Sequence, residues 1–257
     1  MADTKELAQG YTVVNNTQQE AGLFLIERLG LQKGDRVLDV GCGPGNLTAL
    51  IANIVGEDTT VVGIDPSEER IALAQKFARS KLSFSVGRAE ELQFPDSTFD
   101  VVYVNSTFHW VEDQPKALHE FARILKPGGR VGISGGSGDF VADHEKIKAD
   151  VLSRSPYRDY PEKSGPTFLK QARLEELLDD SGFDSDIVIN RILKHTKTPE
   201  DMIEWLDTSS SGKTYGGIPF ELRPEAKKAM IKEWEKLVTV DGIKMDMELL
   251  VTVAKKR

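Results

Sequence analysis

The chain has 257 residues, with 41 acidic against 33 basic side chains and a formal net charge of −8. That length suits one α/β domain with a sizeable core. No apolar stretch approaches the ~20 residues needed to span a bilayer, and the acidic balance repels phosphate backbones, so neither a membrane nor a nucleic acid is expected as a partner.

The single cysteine, Cys42, excludes an internal disulfide and a cysteine-cluster zinc site. The first ten residues carry no apolar signal-peptide core, so a cytoplasmic location is expected.

In chain order, Tyr11, Asn15 and Gln18 fall at i, i+4 and i+7, one face of a predicted helix. An apolar run follows over residues 21–29. The helix either folds across the mouth of a site or turns a polar face to solvent.

The next segment is the most informative. Residues 36–40 read as a buried parallel strand carrying Asp39, followed by Gly41, Gly43 and Gly45 at alternate positions and then a helical pattern over 47–55. Glycines there let the backbone turn sharply and approach a ligand closely, and the helix start adds unpaired N–H groups. This is the pattern of a nucleotide-type site.

A dinucleotide fingerprint places its third glycine one residue later, where this chain has Asn46. A pyrophosphate also gains nothing from Asp39, whereas an ammonium or sulfonium does. Cys42, inside the turn, reads as a small residue packed near the ligand rather than a nucleophile.

The second strand, 61–64, ends in Asp65, and Pro66-Ser67 opens a helix. Asp65 follows Gly41 by 24 residues, close to the spacing of about 20 for an acid that binds ribose hydroxyls. It could equally cap the helix. Further strands are predicted at 83–86, 100–104, 129–134, 186–193 and 249–254, and helices at 115–125, 168–181, 199–207 and 224–237. A doubly wound, mostly parallel α/β sheet follows.

The fourth strand ends at Asn105 and runs into an aromatic turn, Phe108-His109-Trp110. Phe108 reads as core, and Trp110 as core or as a wall beside positive charge. His109 reads as a structural histidine or a base. Beyond the cofactor-binding core, 34–134, two insertions at 135–167 and 194–240 read as a lid or as surface decoration. The Ser/Gly-rich loop 208–217 suits a hinge. Trp205, Tyr215, Ile218 and Phe220 point to a partly apolar ligand.

VLDVGCGPGNLT (37–48), VVGIDPS (61–67), GRAEELQFPDSTFDVVYVN (87–105) and ILKPGGR (124–130) together resemble the successive motifs of the class I S-adenosylmethionine-dependent methyltransferases. The resemblance implies a Rossmann-like seven-stranded fold within a single methyltransferase domain, 1–257. It assigns the methionine end to Asp39, Gly41, Cys42, Gly43, Gly45 and Asn105. The ribose falls to Asp65 with Pro66 and Ser67, and the adenine to Ala89 and Glu90. Arg88 stands where the family often has an acid.

The face Tyr11, Asn15 and Gln18, with His109-Trp110, is similar to that of the juvenile hormone acid O-methyltransferases. The His-Trp turn also resembles trans-aconitate and malonyl-carrier-protein methyltransferases. All of these methylate carboxylates. The likeness implies that Gln18 and Trp110 hold the carboxylate of a small organic acid, with Tyr11 at the cofactor mouth. A carboxylate is already anionic near neutral pH and needs no base. N- or C-methylation with His109 as base, or cofactor binding without turnover, are the alternatives.

Overall fold

The computed structural model describes residues 16–161, 165–209 and 214–257. Its strands are β1 (Val37–Val40), β2 (Val61–Asp65), β3 (Leu82–Val86), β4 (Phe99–Asn105), β5 (Leu125–Gly136), β6 (Phe183–Thr196) and β7 (Ile243–Lys256). They form one sheet in the order β3-β2-β1-β4-β5-β7-β6. The first five pair in parallel, while β7 is antiparallel to both β5 and β6.

The central strands are buried on both faces, which is why β1 reads as a continuous apolar run broken only by Asp39. Successive residues serve opposite cores. Val37, Val61, Val101 and Tyr103 pack with α1 (Asn16–Leu29) and α2 (Asn46–Val55). Leu38, Ile64, Val102 and Val104 pack with α4 (Gln114–Ile124) and α6 (Gln171–Asp180). Between them in sequence lie α3 (Glu68–Ala74) and α5 (Asp143–Leu152). This is the doubly wound, seven-stranded Rossmann-like α/β sheet predicted above.

Several boundaries differ from expectation. The β6–β7 ladder continues past the body of the sheet to Thr196↔Ile243, so residues 194–196 are strand rather than insertion. β5 likewise runs on to Gly136 because its glycines pair with Leu249 and Leu250 of β7. The helix predicted from 168 begins at Gln171, since main-chain bonds hold the preceding residues extended. Gly138 N–H donates to Leu169 O (2.8 Å), and Thr167 N–H donates to His109 O (2.7 Å).

The two insertions pack on one another. Val151 and Tyr157 of the first share a core with Met202, Ile203 and Leu206 of α7 (Pro199–Ser209) and Met230 and Trp234 of α8 (Arg223–Trp234). Trp234, fully buried, donates its indole N–H to His144 O at 3.0 Å.

Candidate active site

Strand order reverses between β1 and β4, opening a crevice beyond their carboxyl ends. The glycine turn sits there. Gly41, Gly43 and Gly45 have φ of 77°, 54° and 85°, conformations that side chains resist. A Cβ on Gly41 would lie 2.1 Å from Thr107 Oγ1, and one on Gly45 would lie 2.9 Å from the Ala74 Cβ. The turn is fastened to β2, with Gly41 and Cys42 N–H both donating to Ile64 O (2.7 and 2.9 Å). α2 starts at Gly45 with no side-chain cap, leaving its first-turn N–H groups for a ligand.

Asp39 is 2% exposed, and its Oδ2 accepts a 2.6 Å bond from Thr48 Oγ1. Burial lifts its pKa from the ordinary 3.8 to about 7, with the Thr48 bond opposing and the neighbouring Asp65 charge adding to the rise. An acid in that state gains from a cation beside it.

Asp65 accepts from Ser67 N–H (2.9 Å) and Gly43 N–H (3.0 Å). The helix cap is Ser67, whose Oγ accepts from Arg70 N–H at 3.2 Å. Pro66 lies between them. The Cys42 thiol is buried, and burial first, then Asp39 and Asp65, push its pKa up, so it stays protonated.

Past β3, Ala89 faces the core, and Glu90 Oε1 accepts from Glu112 N–H at 3.0 Å. Arg88 lies 3.8 Å from that oxygen and 3.4 Å from the Glu112 carboxylate. The loop after β3 is thereby tied to the far end of the aromatic turn.

On the other side of the crevice, Asn105 Nδ2 donates to Gln18 O at 2.9 Å. Gly22 allows α1 this approach. A Cβ there would fall 2.4 Å from Leu47 and 2.9 Å from Asn105 Nδ2. Asn105 Oδ1 and Gln18 Oε1 are buried without a hydrogen-bond partner. Because Nδ2 faces a carbonyl, the orientation of the Asn105 amide is fixed and Oδ1 awaits a donor.

The turn Phe108–Trp110 is one 3-10 turn, with Phe108 in the core and Trp110 half-buried. The His109 ring makes tilted contacts with Trp110 (ring centroids 5.4 Å, 50°) and Phe168 (4.7 Å, 30°). Burial lowers its pKa to about 4, and Nδ1 lies inside without a partner.

Tyr11 and Asn15 lie outside the described residues. Tyr215 and Ile218 are buried in the core of the insertions, and Trp205 packs against it. Phe220 is 66% exposed beneath Arg223 (4.2 Å). Tyr215, Ile218 and Trp205 are therefore taken up by the insertions' own packing, while Phe220 stays at the surface against Arg223.

The sequence reading missed Thr48, Thr107, Gly22 and Phe168. Only Gly22 carried a signal, since a glycine inside a helical pattern usually marks a close approach.

Residues 38–133 match the methyltransferase domain family, a span that holds the glycine turn, Asp65, Asn105 and the aromatic turn. An uncharacterized methyltransferase of Schizosaccharomyces pombe is 30% identical over 194 residues, 72% of each chain. The O-methyltransferase cnsE of Penicillium expansum is 33% identical over 161 residues, 61% of this chain and 54% of its own length. The chain thus spans most of the first relative and about half of the second.

The YcgJ protein of Bacillus subtilis shares the fold, with a TM-score of 0.67 over 93% of this chain and 99% of its own at 16% identity. Other relatives bear C- and N-methyltransferase names, so the acceptor atom is not set by kinship. The chain belongs to the methyltransferase domain family and is an S-adenosylmethionine-dependent methyltransferase.

Proposed function

We propose that the chain methylates the carboxylate of a small organic acid, held by Gln18 and Trp110. The observation that carries this reading is the state of His109. Its ring lies against Trp110 and Phe168, its Nδ1 is shut inside, and its pKa is pulled down to about 4. Such a group is a poor base, and a carboxylate needs none.

The residues at the crevice fit the cofactor. Asp39, lifted to about 7 with a hydrogen bond from Thr48, and the waiting Asn105 Oδ1 suit the methionine ammonium. Asp65, oriented by the N–H groups of Gly43 and Ser67, is an acceptor for the ribose hydroxyls. Ser67 and Pro66 flank it, and the loop Ala89–Glu90 borders the adenine. Gly41, Cys42, Gly43 and Gly45 let the main chain approach. Tyr11 would close the mouth.

When bound, S-adenosylmethionine supplies a methyl group activated by its sulfonium. Gln18 has a buried polar atom without a partner, and a half-turn of its amide presents Nε2 there. Nε2 and the Trp110 indole N–H would donate to one carboxylate oxygen, leaving the other in line for the methyl at about 3–3.5 Å. The carboxylate, already anionic, would accept that methyl with no proton for the residues of this chain to remove. The insertions, which pack on one another after β5 and between β6 and β7, would act as a lid that excludes water and strengthens these charge-assisted bonds.

A second reading, N- or C-methylation, draws on relatives named for ubiquinone/menaquinone C-methylation and phosphoethanolamine N-methylation. It requires a base other than a stacked His109.

The test is labelled-methyl transfer to acids, amines, phenols and thiols by the wild type, Gln18→Ala and Trp110→Phe. Base-labile methyl esters are expected. Each substitution should lower kcat/KM by about 10- to 100-fold, the worth of a hydrogen bond to a charged group, with cofactor affinity within about twofold. Full rates in both variants, or label only on nitrogen, carbon or sulfur, would overturn the carboxylate reading.

A further inference from the structure

We infer that Phe168, outside the family-matched residues, is the residue that selects the acceptor by the size of its apolar body. This inference rests on the proposed entry of the acceptor beside Trp110.

Three features place Phe168 there. The first is its seat. Its ring lies where a Cβ on Gly136 would come within 2.7 Å, so only glycine at that position leaves the slot open. Gly136 is the last residue of β5, which puts the ring at the carboxyl edge where ligands of such sheets bind.

The second is its attachment. Thr167 N–H donates to His109 O, and Gln114 Nε2 bridges Phe108 O (3.0 Å) and Thr167 O (3.1 Å). Beyond the ring, Leu169 O accepts from Gly138 N–H, where a Cβ would meet the Phe168 carbonyl at 2.6 Å. The segment 167–169 is thus a strap sewn to the aromatic turn at one end and, at the other, to Gly138 just past the end of β5.

The third is what the ring does. It stacks on His109 at 4.7 Å and 30°, and His109 in turn meets Trp110, so the three rings form one continuous wall. Phe168 remains 47% exposed. An aromatic residue held this firmly yet left half bare offers an apolar face to whatever lies in front of Trp110. Beside it, a small recess of about 20 Å³, room for little more than one water, is lined by Phe108, His109, Gly136, Leu169, Leu174 and Leu250. Phe168 packs on His109 and Gly136, two residues that line that recess, so the ring bounds the acceptor's space and trimming it widens that space. The acceptor class is a methyl acceptor whose body next to the reacting group is compact and apolar.

The test measures kcat/KM across size-graded series (propionate to decanoate, benzoate to naphthoate, and matching amines and phenols) for the wild type, Phe168→Ala, Phe168→Leu and Gly136→Ala. Phe168→Ala should shift the preference toward larger bodies by at least about tenfold, the scale of a methylene or more in an apolar pocket. The shift should fall mainly in KM, with cofactor affinity unchanged. Gly136→Ala, which displaces the ring from its seat, should reproduce the shift, and Phe168→Leu should restore much of the original preference. An unchanged size profile in Phe168→Ala or in Gly136→Ala would overturn the proposal. If the wild type methylates amines or phenols instead of acids, the carboxylate reading falls, and the Phe168 profile is read on that class just the same.

Discussion

Replacing Asp39 by asparagine should stabilise the cofactor-free protein at alkaline pH relative to the wild type while weakening cofactor binding. Asp39 is buried beside Thr48 and near Asp65, and burial raises its pKa from 3.8 to about 7. Between those values the native protein keeps a proton that the unfolded chain has released. Stability therefore falls as pH rises through the window from about 4 to 7, and levels off above it. At ~1.4 kcal/mol per pH unit, the cost is on the order of 1.5 kcal/mol at pH 5 and 4 kcal/mol at pH 8.

The asparagine amide has no charge to desolvate. The difference in unfolding free energy between variant and wild type should thus grow by about 2.5 kcal/mol from pH 5 to pH 8, roughly 5–10 °C in Tm for a chain of this size. Other titrating groups are common to both proteins and cancel. Any fixed cost of the amide shifts both pH values alike. The assay is thermal unfolding of both proteins at pH 5, 6, 7 and 8 without ligand, with calorimetric titration of the cofactor at pH 8. Parallel Tm–pH curves would refute the argument, and a cofactor affinity unchanged in Asp39→Asn would remove Asp39 from the binding site.

Gly45→Ala should lower stability by about 1–2 kcal/mol for the left-handed backbone alone, and by more because its Cβ would press on Ala74 at 2.9 Å. An unchanged Tm would contradict that geometry. Trp234→Ala should cost about 3–5 kcal/mol, since the side chain is fully buried and bonded to His144 O. Hydrogen exchange should quicken in α5, α7 and α8 while β1 and β4 keep their protection, and a uniform loss would show that the insertions are not a separate packing unit.

The sheet was legible because its information is local. Parallel strands buried on both faces require short apolar runs, and the turns between them require particular residues, so 36–40, 61–64 and 100–104 could be placed to within a residue or two. The glycine turn was legible for the same reason, as a positive φ leaves glycine little competition. The edges were not. Nothing within β6 says that it continues to Thr196, because what extends it is the pairing of Lys194 and His195 with Met245 and Lys244, some fifty residues away.

The site divides the same way. Asp39 and Asp65 could be singled out as candidate ligand-binding acids from their places near strand ends. The partner of Asp39 could not, because Thr48 is one of several polar residues that a helix start would tolerate. His109 could be read as a base or as a structural residue. Its contact with Phe168, more than fifty residues later in the chain, and the burial of its Nδ1 could not be read from the sequence.

By itself, then, the sequence determined the doubly wound sheet and the glycine turn, because backbone conformation and burial pattern leave their mark residue by residue. The tertiary structure alone decided which polar groups stay unpaired, how Asp39 titrates, and that the two insertions share a core around Trp234. Those outcomes depend on desolvation and contact between distant segments, and neither quantity exists until the chain has closed on itself.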